Sequence, residues 1–226
     1  MGQKTHPIGF RVGITRRHDS RWYANKKDFP RLLKQDQEVR AYIKKLFYGA
    51  QIPRIEIERS RELVRILVHC AKPGVLIGRK GVKVDQLRQD LAKMLGMRIQ
   101  LDIFEINKPE LEGQIVAEQI SDQLQRRMPF RRTLKKMLEL CRERGARGVK
   151  LQISGRLGGA EIARTETQTW GQVPLQTLRA DVRYGYAVSR TSYGTIGVKA
   201  WIYRGDIDEV KDDGVLRKER RNAPDA

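Results

Sequence analysis

The stretch Lys72-Pro73-Gly74-Val75-Leu76-Ile77-Gly78-Arg79-Lys80-Gly81 decides how the first half of this chain folds. Pro73 suits the first turn of a helix, where its missing N–H has no partner to lose. The apolar run through Ile77 makes that helix short, because Gly78 follows at once. Gly78-Arg79-Lys80-Gly81 then reads as a loop. A second helix is expected beyond it. Val84, Leu87, Leu91, Met94 and Leu95 recur at helical spacing, and Gly96 stops the pattern.

Outward from this centre the periodicity changes. Pro53 to Glu58 alternates, with Ile55 and Ile57 on one face, and Leu63 to His69 is a second β-rich run. The polar Arg59-Ser60-Arg61-Glu62 between them suits a hairpin loop. Residues 28–48 carry Leu32, Leu33, Val39, Ile43, Leu46 and Phe47 roughly on one helical side, and Gly49 ends that helix. Arg98 to Ile106 reads as a strand, with Ile99, Leu101 and Ile103 alternating. The order over residues 28–106 is helix, strand, strand, helix, helix, strand, with the glycine loop between the last two helices. That is the order of a KH domain of type II. In such a domain the glycines let a nucleic-acid backbone approach closely, while helix N-termini and basic residues meet phosphate. The loop alone is a weak signal. Twenty glycines in 226 residues give about two G-x-x-G matches by chance. The four present start at Gly78, Gly145, Gly155 and Gly194, and only the first joins two short helices after a hairpin.

Asn107-Lys108-Pro109 reads as a linker, since proline disfavours helix before it. A second domain is expected over 107–206. Leu111, Ile115, Ile120, Leu124 and Met128 form the stripe of one helix, which Pro129 breaks. A second helix runs from about Phe130 to Arg144. Strands follow at Val149–Ser154, near Ile162–Gln168, at Val182–Ser189 and at Ile196–Arg204, the last two flanking a hairpin turn at Tyr193-Gly194-Thr195. The fold class is therefore α+β: a KH type II domain, then a two-layer α/β domain with two helices on a mostly antiparallel sheet.

The run from Arg126 to Lys136 holds six basic residues and no acid: Arg126, Arg127, Arg131, Arg132, Lys135 and Lys136. On a helix starting at Phe130, the residues Phe130, Leu134, Met137, Leu138 and Cys141 fall within one arc of about 100°. Arg131, Arg132, Lys135 and Lys136 fall opposite. Solvated faces normally mix signs, but here the first acid is Glu139, one turn past Lys135. Like charges gathered on one side call for an anion, and the spacing points to phosphate. The stretch Ser154 to Arg164 is glycine-rich but lacks the Gly-Lys-Ser/Thr of a P-loop. It fits either a backbone nest for phosphate, flanked by Arg156 and Arg164, or only a tight structural turn.

Residues 1–27 hold seven basic residues against one acid, Asp19. Ile8, Phe10, Val12, Ile14, Trp22 and Tyr23 give this segment something to anchor. It reads as an arm packed partly on its own domain and partly on RNA, with Lys4 and Arg11 as candidate contacts.

Over the whole chain the formal net charge is +19. From Ile207 to Ala226 six acids face five basic residues, so the excess lies in the first 206 residues. Such an excess is self-repelling and finds relief in a polyanion that releases counterions. The segment 207–226 reads as disordered.

Cys70 and Cys141 sit in apolar-periodic segments and read as core residues of a reducing cytoplasm. His6, His18 and His69 lie far apart, without metal-ligand spacing, and no acidic dyad stands out. The expectation is a non-enzyme with no metal, cofactor, small-molecule substrate or membrane span.

Several long colinear stretches resemble one family. These are Met1 to Ile14, Lys72 to Gly78, the 126–136 basic run, Ser154 to Thr165, Val173 to Asp181, and Tyr193 to Gly205. Together they resemble the bacterial small-subunit ribosomal protein S-three family as far as about Ile207. The resemblance implies a cytoplasmic ribosomal protein in the head of the small subunit. It also implies contacts with ribosomal RNA and with proteins S-ten and S-fourteen. In that family the second domain lines the path by which messenger RNA enters. Basic residues aligned with Arg131, Arg132 and Lys135 there help the ribosome open messenger duplexes. One stretch departs from the family pattern. Thr167-Gln168-Thr169-Trp170-Gly171-Gln172 stands where more charged residues are usual, so no RNA contact is carried over to it.

Two other classes compete. A free RNA chaperone built on a KH module would sediment apart from ribosomal subunits. An RNA-processing enzyme would need a nuclease acid cluster or a P-loop, and the sequence has neither.

Overall fold

A computed structural model describes residues 4–78 and 81–207. The chain divides into two compact units. One spans His18–Pro109; the other combines the residues up to Arg17 with those from Glu110 onward. The expected arm over 1–27 is therefore not one piece, because its first part folds with the second unit.

In the His18–Pro109 unit the helix α2 (Phe29–Leu46) is followed by the hairpin β2 (Arg54–Arg59) and β3 (Leu63–Cys70). Then come the short α3 (Pro73–Ile77), α4 (Val82–Leu95) and β4 (Arg98–Glu105). The sequence order is thus the observed order. β3 pairs antiparallel with β2 and parallel with β4. Strict alternation in β3 turns Val64, Ile66, Val68 and Cys70 to one face, where all four are buried. They pack with Val39 and Ile43 of α2, Leu76 of α3, and Leu87 and Leu91 of α4. Each such side chain contributes about 1.5–3 kcal/mol by leaving water.

The periodicity of residues 1–27 carries no sign of β1 (Ser20–Arg21), a two-residue strand added parallel to β2. Side chains hold it there. Asp36, fully buried on α2, accepts hydrogen bonds from Ser20 Oγ at 3.0 Å, Trp22 Nε1 at 2.8 Å and Arg59 Nη2 at 2.6 Å. Arg59 thus belongs to β2 and to this hub, not to the hairpin loop. Nearby, Glu56 receives Arg21, Arg54 and His69. Burial alone would raise the Glu56 pKa, but the His69 hydrogen bond and the flanking guanidinium groups hold it below its ordinary value.

The other unit carries α1 (Pro7–Arg11), α5 (Gly113–Gln125), α6 (Phe130–Glu143) and four strands: β5 (Gly148–Gly155), β6 (Arg164–Gly171), β7 (Ala180–Thr191) and β8 (Gly194–Asp206). The sheet order is β6-β5-β8-β7, and all three ladders are antiparallel. Val149, Leu151 and Ile153 of β5 face Ile202, Ala200 and Val198 of β8 in register, all buried beneath α5 and α6. α5 lies unusually close to β7. A side chain added at Gly185 would run into the Gly113 carbonyl, so only paired glycines permit this backbone contact. At the next residue of each element, the Gln114 amide donates to Tyr186 O and accepts from Tyr186 N, satisfying part of the free edge of β7. α5 ends at Gln125, earlier than the apolar stripe suggests, and Met128 is exposed. Arg127 takes a positive φ of 59°, which turns the chain before Pro129 is reached.

Candidate nucleic-acid interface

The amphipathic reading of residues 130–143 holds in the fold. Thr133, Leu134, Met137 and Cys141 are buried against the sheet, while Arg131, Arg132, Lys135 and Lys136 are all exposed. About four turns of helix therefore separate a dry face from a cationic one. Among the described residues, Arg132, Lys135 and Lys136 have no carboxylate within 4.0 Å. Arg131, whose side chain is 75% exposed, reaches Glu166 only at 3.9 Å. Exposed pairs at that range are worth little, so the face keeps its charge. Arg126 and Arg127 lie exposed in the turn directly before α6.

β6 extends this surface with aromatic groups. The Phe130 ring lies beneath two guanidinium groups, Arg131 and Arg164, each 5.7 Å from its centroid. Arg164 also approaches Glu166, at 4.0 Å. Further along, Arg142 sits over Trp170 at 5.3 Å. The structure therefore groups Arg131, Arg164 and Phe130. Only the fold reveals this, because residues 130 and 164 are adjacent through the α6–β6 packing. Trp170, in the stretch that departs from the family pattern, meets Arg142 near the other end of α6.

The glycine loop stands where α3 meets α4. Gly78 and Gly81 both take positive φ, 69° and 79°. A side chain in that region is strained, so both positions require glycine. Exposed Val75, Ile77 and Val82 flank the loop. Arg79 and Lys80, its expected phosphate contacts, lie outside the described residues.

Other expected contacts separate clearly. Lys4 is exposed. Arg11 is a correction: it is 3% exposed and its guanidinium faces inward. Nε donates to Ala180 O at 2.9 Å and Nη1 to Pro7 O at 3.1 Å. Nη2 reaches the carbonyls of Pro174, Leu175 and Thr177 at 2.9–3.1 Å. A cation so enclosed lies out of reach of phosphate, and it pins α1 to the approach to β7. Arg156 also turns to its own loop, donating to Ala160 O and Tyr193 O, both at 2.9 Å. These bonds brace the turn, and Leu157 is buried in its centre.

Among the described residues no group of three His, Cys, Asp or Glu side chains is placed to hold a metal ion. Burial pushes the Cys70 thiol up to about 11 and the Cys141 thiol up to about 12. Each histidine is engaged locally: His6 Nδ1 accepts from Gly9 N, His18 Nδ1 from Ser20 N, and His69 Nε2 donates to Glu56. No helix among the described residues is long and apolar enough to cross a membrane.

Comparison with known proteins bears on the same two units. Residues 38–111 match the family described as KH domain, and residues 120–202 match "Ribosomal protein S3, C-terminal domain". The chain is 53% identical over 208 residues to the small ribosomal subunit protein uS3 of Caldicellulosiruptor bescii, covering 92% of this chain and 94% of that one. It is 51% identical to the protein of the same name from Desulfovibrio desulfuricans, covering 92% and 97%. With that of Caulobacter sp. strain K31 it shares 50% identity, covering 92% and 84%.

Proposed function

Because this chain belongs to the ribosomal protein S3 family, we propose that it is an RNA-binding constituent of the small ribosomal subunit that acts in translation and carries no catalytic activity of its own. It sits in the subunit head within the cytoplasm, beside proteins S-ten and S-fourteen, and its α6 face lines the path by which messenger RNA enters. The observation that carries this reading is the cationic face of α6. Four basic side chains project into solvent there with almost no carboxylate to neutralise them. A single RNA strand passing over that face would gain phosphate contacts at each step, and the Arg131–Phe130–Arg164 cluster offers guanidinium planes on which an unstacked base can lie. Rigid attachment matters as much as charge. Because the opposite face of α6 is buried in the sheet, the cations keep their spacing while the strand moves. Phosphate contacts joined to stacking of an unpaired base, which a duplex does not offer, favour a strand held open over one that re-pairs.

The test is the triple variant Arg131→Ala, Arg132→Ala, Lys135→Ala. All three changes are on the wet face, so the protein is expected to fold and to co-sediment with small subunits. Translation through a stable messenger hairpin is expected to slow, while unstructured messenger is read at the parental rate. Equal rates on both messengers would remove the strand-opening role. A chain that stays free of subunits at physiological salt would remove the ribosomal one.

A further inference from the structure

We propose that the outward face of the β6-β5-β8-β7 sheet, opposite α5 and α6, is a second RNA surface that stacks the bases of a single strand. This rests on the reading of the chain as an RNA-binding protein, but on none of the α6 residues. The cross-strand register builds the face. With Leu151 and Ala200 turned inward, their neighbours Lys150 and Trp201 must pair on the outside, and Lys199 comes out beside them. On β7 the same alternation sets Tyr184 opposite Trp201, Tyr186 opposite Lys199, and Arg190 outward near the hairpin turn.

Three features distinguish this surface from an ordinary solvated face. First, it carries aromatic rings in the open: Tyr186 is 48% exposed, and it lies across Gly197, where no side chain lifts it off the sheet. Second, the rings are joined to cations. Lys150 Nζ lies 5.3 Å from the Trp201 centroid, and Trp201 lies 5.4 Å from Tyr184. Tyr184 is closed at its far side by the edge of His6, which leaves Trp201 and Tyr186 as the open end of the row. Third, among the described residues its centre holds no acid. Glu166 points to the α6 side, being opposite the inward Ile153. Asp206 is confined to the terminal rung opposite Ala180, where Arg179 Nε and the Tyr203 hydroxyl engage it. Among the described residues neither Lys199 nor Arg190 has a carboxylate partner. Open rings with unneutralised cations and no carboxylate at the centre match a polynucleotide: bases stack on the rings and phosphates meet the lysines and arginine. A protein partner would instead be expected to meet a centre depleted of lysine, whereas here Lys150 and Lys199 stand among the rings.

The experiment uses the full-length chain and a short oligouridine carrying one 4-thiouridine, with crosslinks mapped by mass spectrometry and affinity read by fluorescence anisotropy. Crosslinks are expected on the β7–β8 peptides at Tyr186 or Trp201, besides any on α6. Tyr186→Ala with Lys199→Ala is expected to weaken binding about five-fold or more. Tyr186→Phe, which keeps the ring, is expected to bind as the parent does. In Arg131→Ala, Arg132→Ala, Lys135→Ala the β7–β8 crosslinks are expected to persist, which separates this surface from the α6 reading. Crosslinks confined to α6, parental affinity in the double variant, or loss of the β7–β8 crosslinks in the triple variant would each overturn the proposal. The first two results would leave the face to a neighbouring protein.

Discussion

Arg11 illustrates what a charge can mean at the scale of one residue. Along the chain it is one of seven cations in a basic segment, and a count assigns it to RNA. In the fold it is buried and ties Pro7, Pro174, Leu175, Thr177 and Ala180 together through their carbonyls. Burial pulls its pKa down, and nearby Asp181 opposes the shift. Its value lies in giving buried carbonyl groups of α1 and of the approach to β7 a charged donor. Arg11→Ala is expected to lower the stability of its unit by about 3 kcal/mol. Arg11→Lys should restore only part of that, since an ammonium has three donors and no planar fork. Denaturant unfolding followed by the fluorescence of Trp170 and Trp201, both in that unit, measures the loss. RNA affinity is expected to change little in the folded fraction.

At the scale of elements, apolar spacing locates helices and strands well. The α6 stripe, the β3 alternation and the glycine-bounded α3–α4 pair all appear where periodicity puts them, because burial of one face selects the period. Two elements depart from it for local reasons. β1 is too short for any period and exists because Ser20 and Trp22 bond to Asp36. α5 stops short because Arg127 turns the chain at positive φ. How closely two elements approach is a different kind of fact, and the pair Gly113 and Gly185 determines it for α5 and β7. Gly185→Ala forces a methyl group into backbone and is expected to cost about 3 kcal/mol. A lowered urea midpoint with an unchanged slope would register that cost. An unaltered midpoint would mean that α5 can move away without loss.

For the whole molecule, charge sets two opposing responses to salt. A chain with net charge +19 repels itself when free. Added salt screens that repulsion, so the midpoint of thermal unfolding is expected to rise between low and physiological ionic strength. RNA affinity is expected to fall over the same range, linearly in the logarithm of salt. Replacing Arg131, Arg132, Lys135 and Lys136 by alanine should reduce the magnitude of that slope by about three for a single strand. It should also raise the stability of the free chain, because like charges are removed from one face. A variant that loses affinity without a change in slope would show that the α6 cations do not meet phosphate.

By itself, the order of residues determined the two-unit plan, the helices and strands with their periods, the surplus of positive charge and the family. Each of these follows from short-range spacing or from composition, which a linear reading contains. Tertiary structure alone decided which cations are available. Arg11 and Arg156 spend their donors on carbonyls distant in sequence, Arg131 and Arg164 converge on one ring, and Lys199 emerges beside Tyr186 on a sheet face away from α6. The physical reason is that a charged group's role depends on what surrounds it in space, and cross-strand register and helix packing set those surroundings.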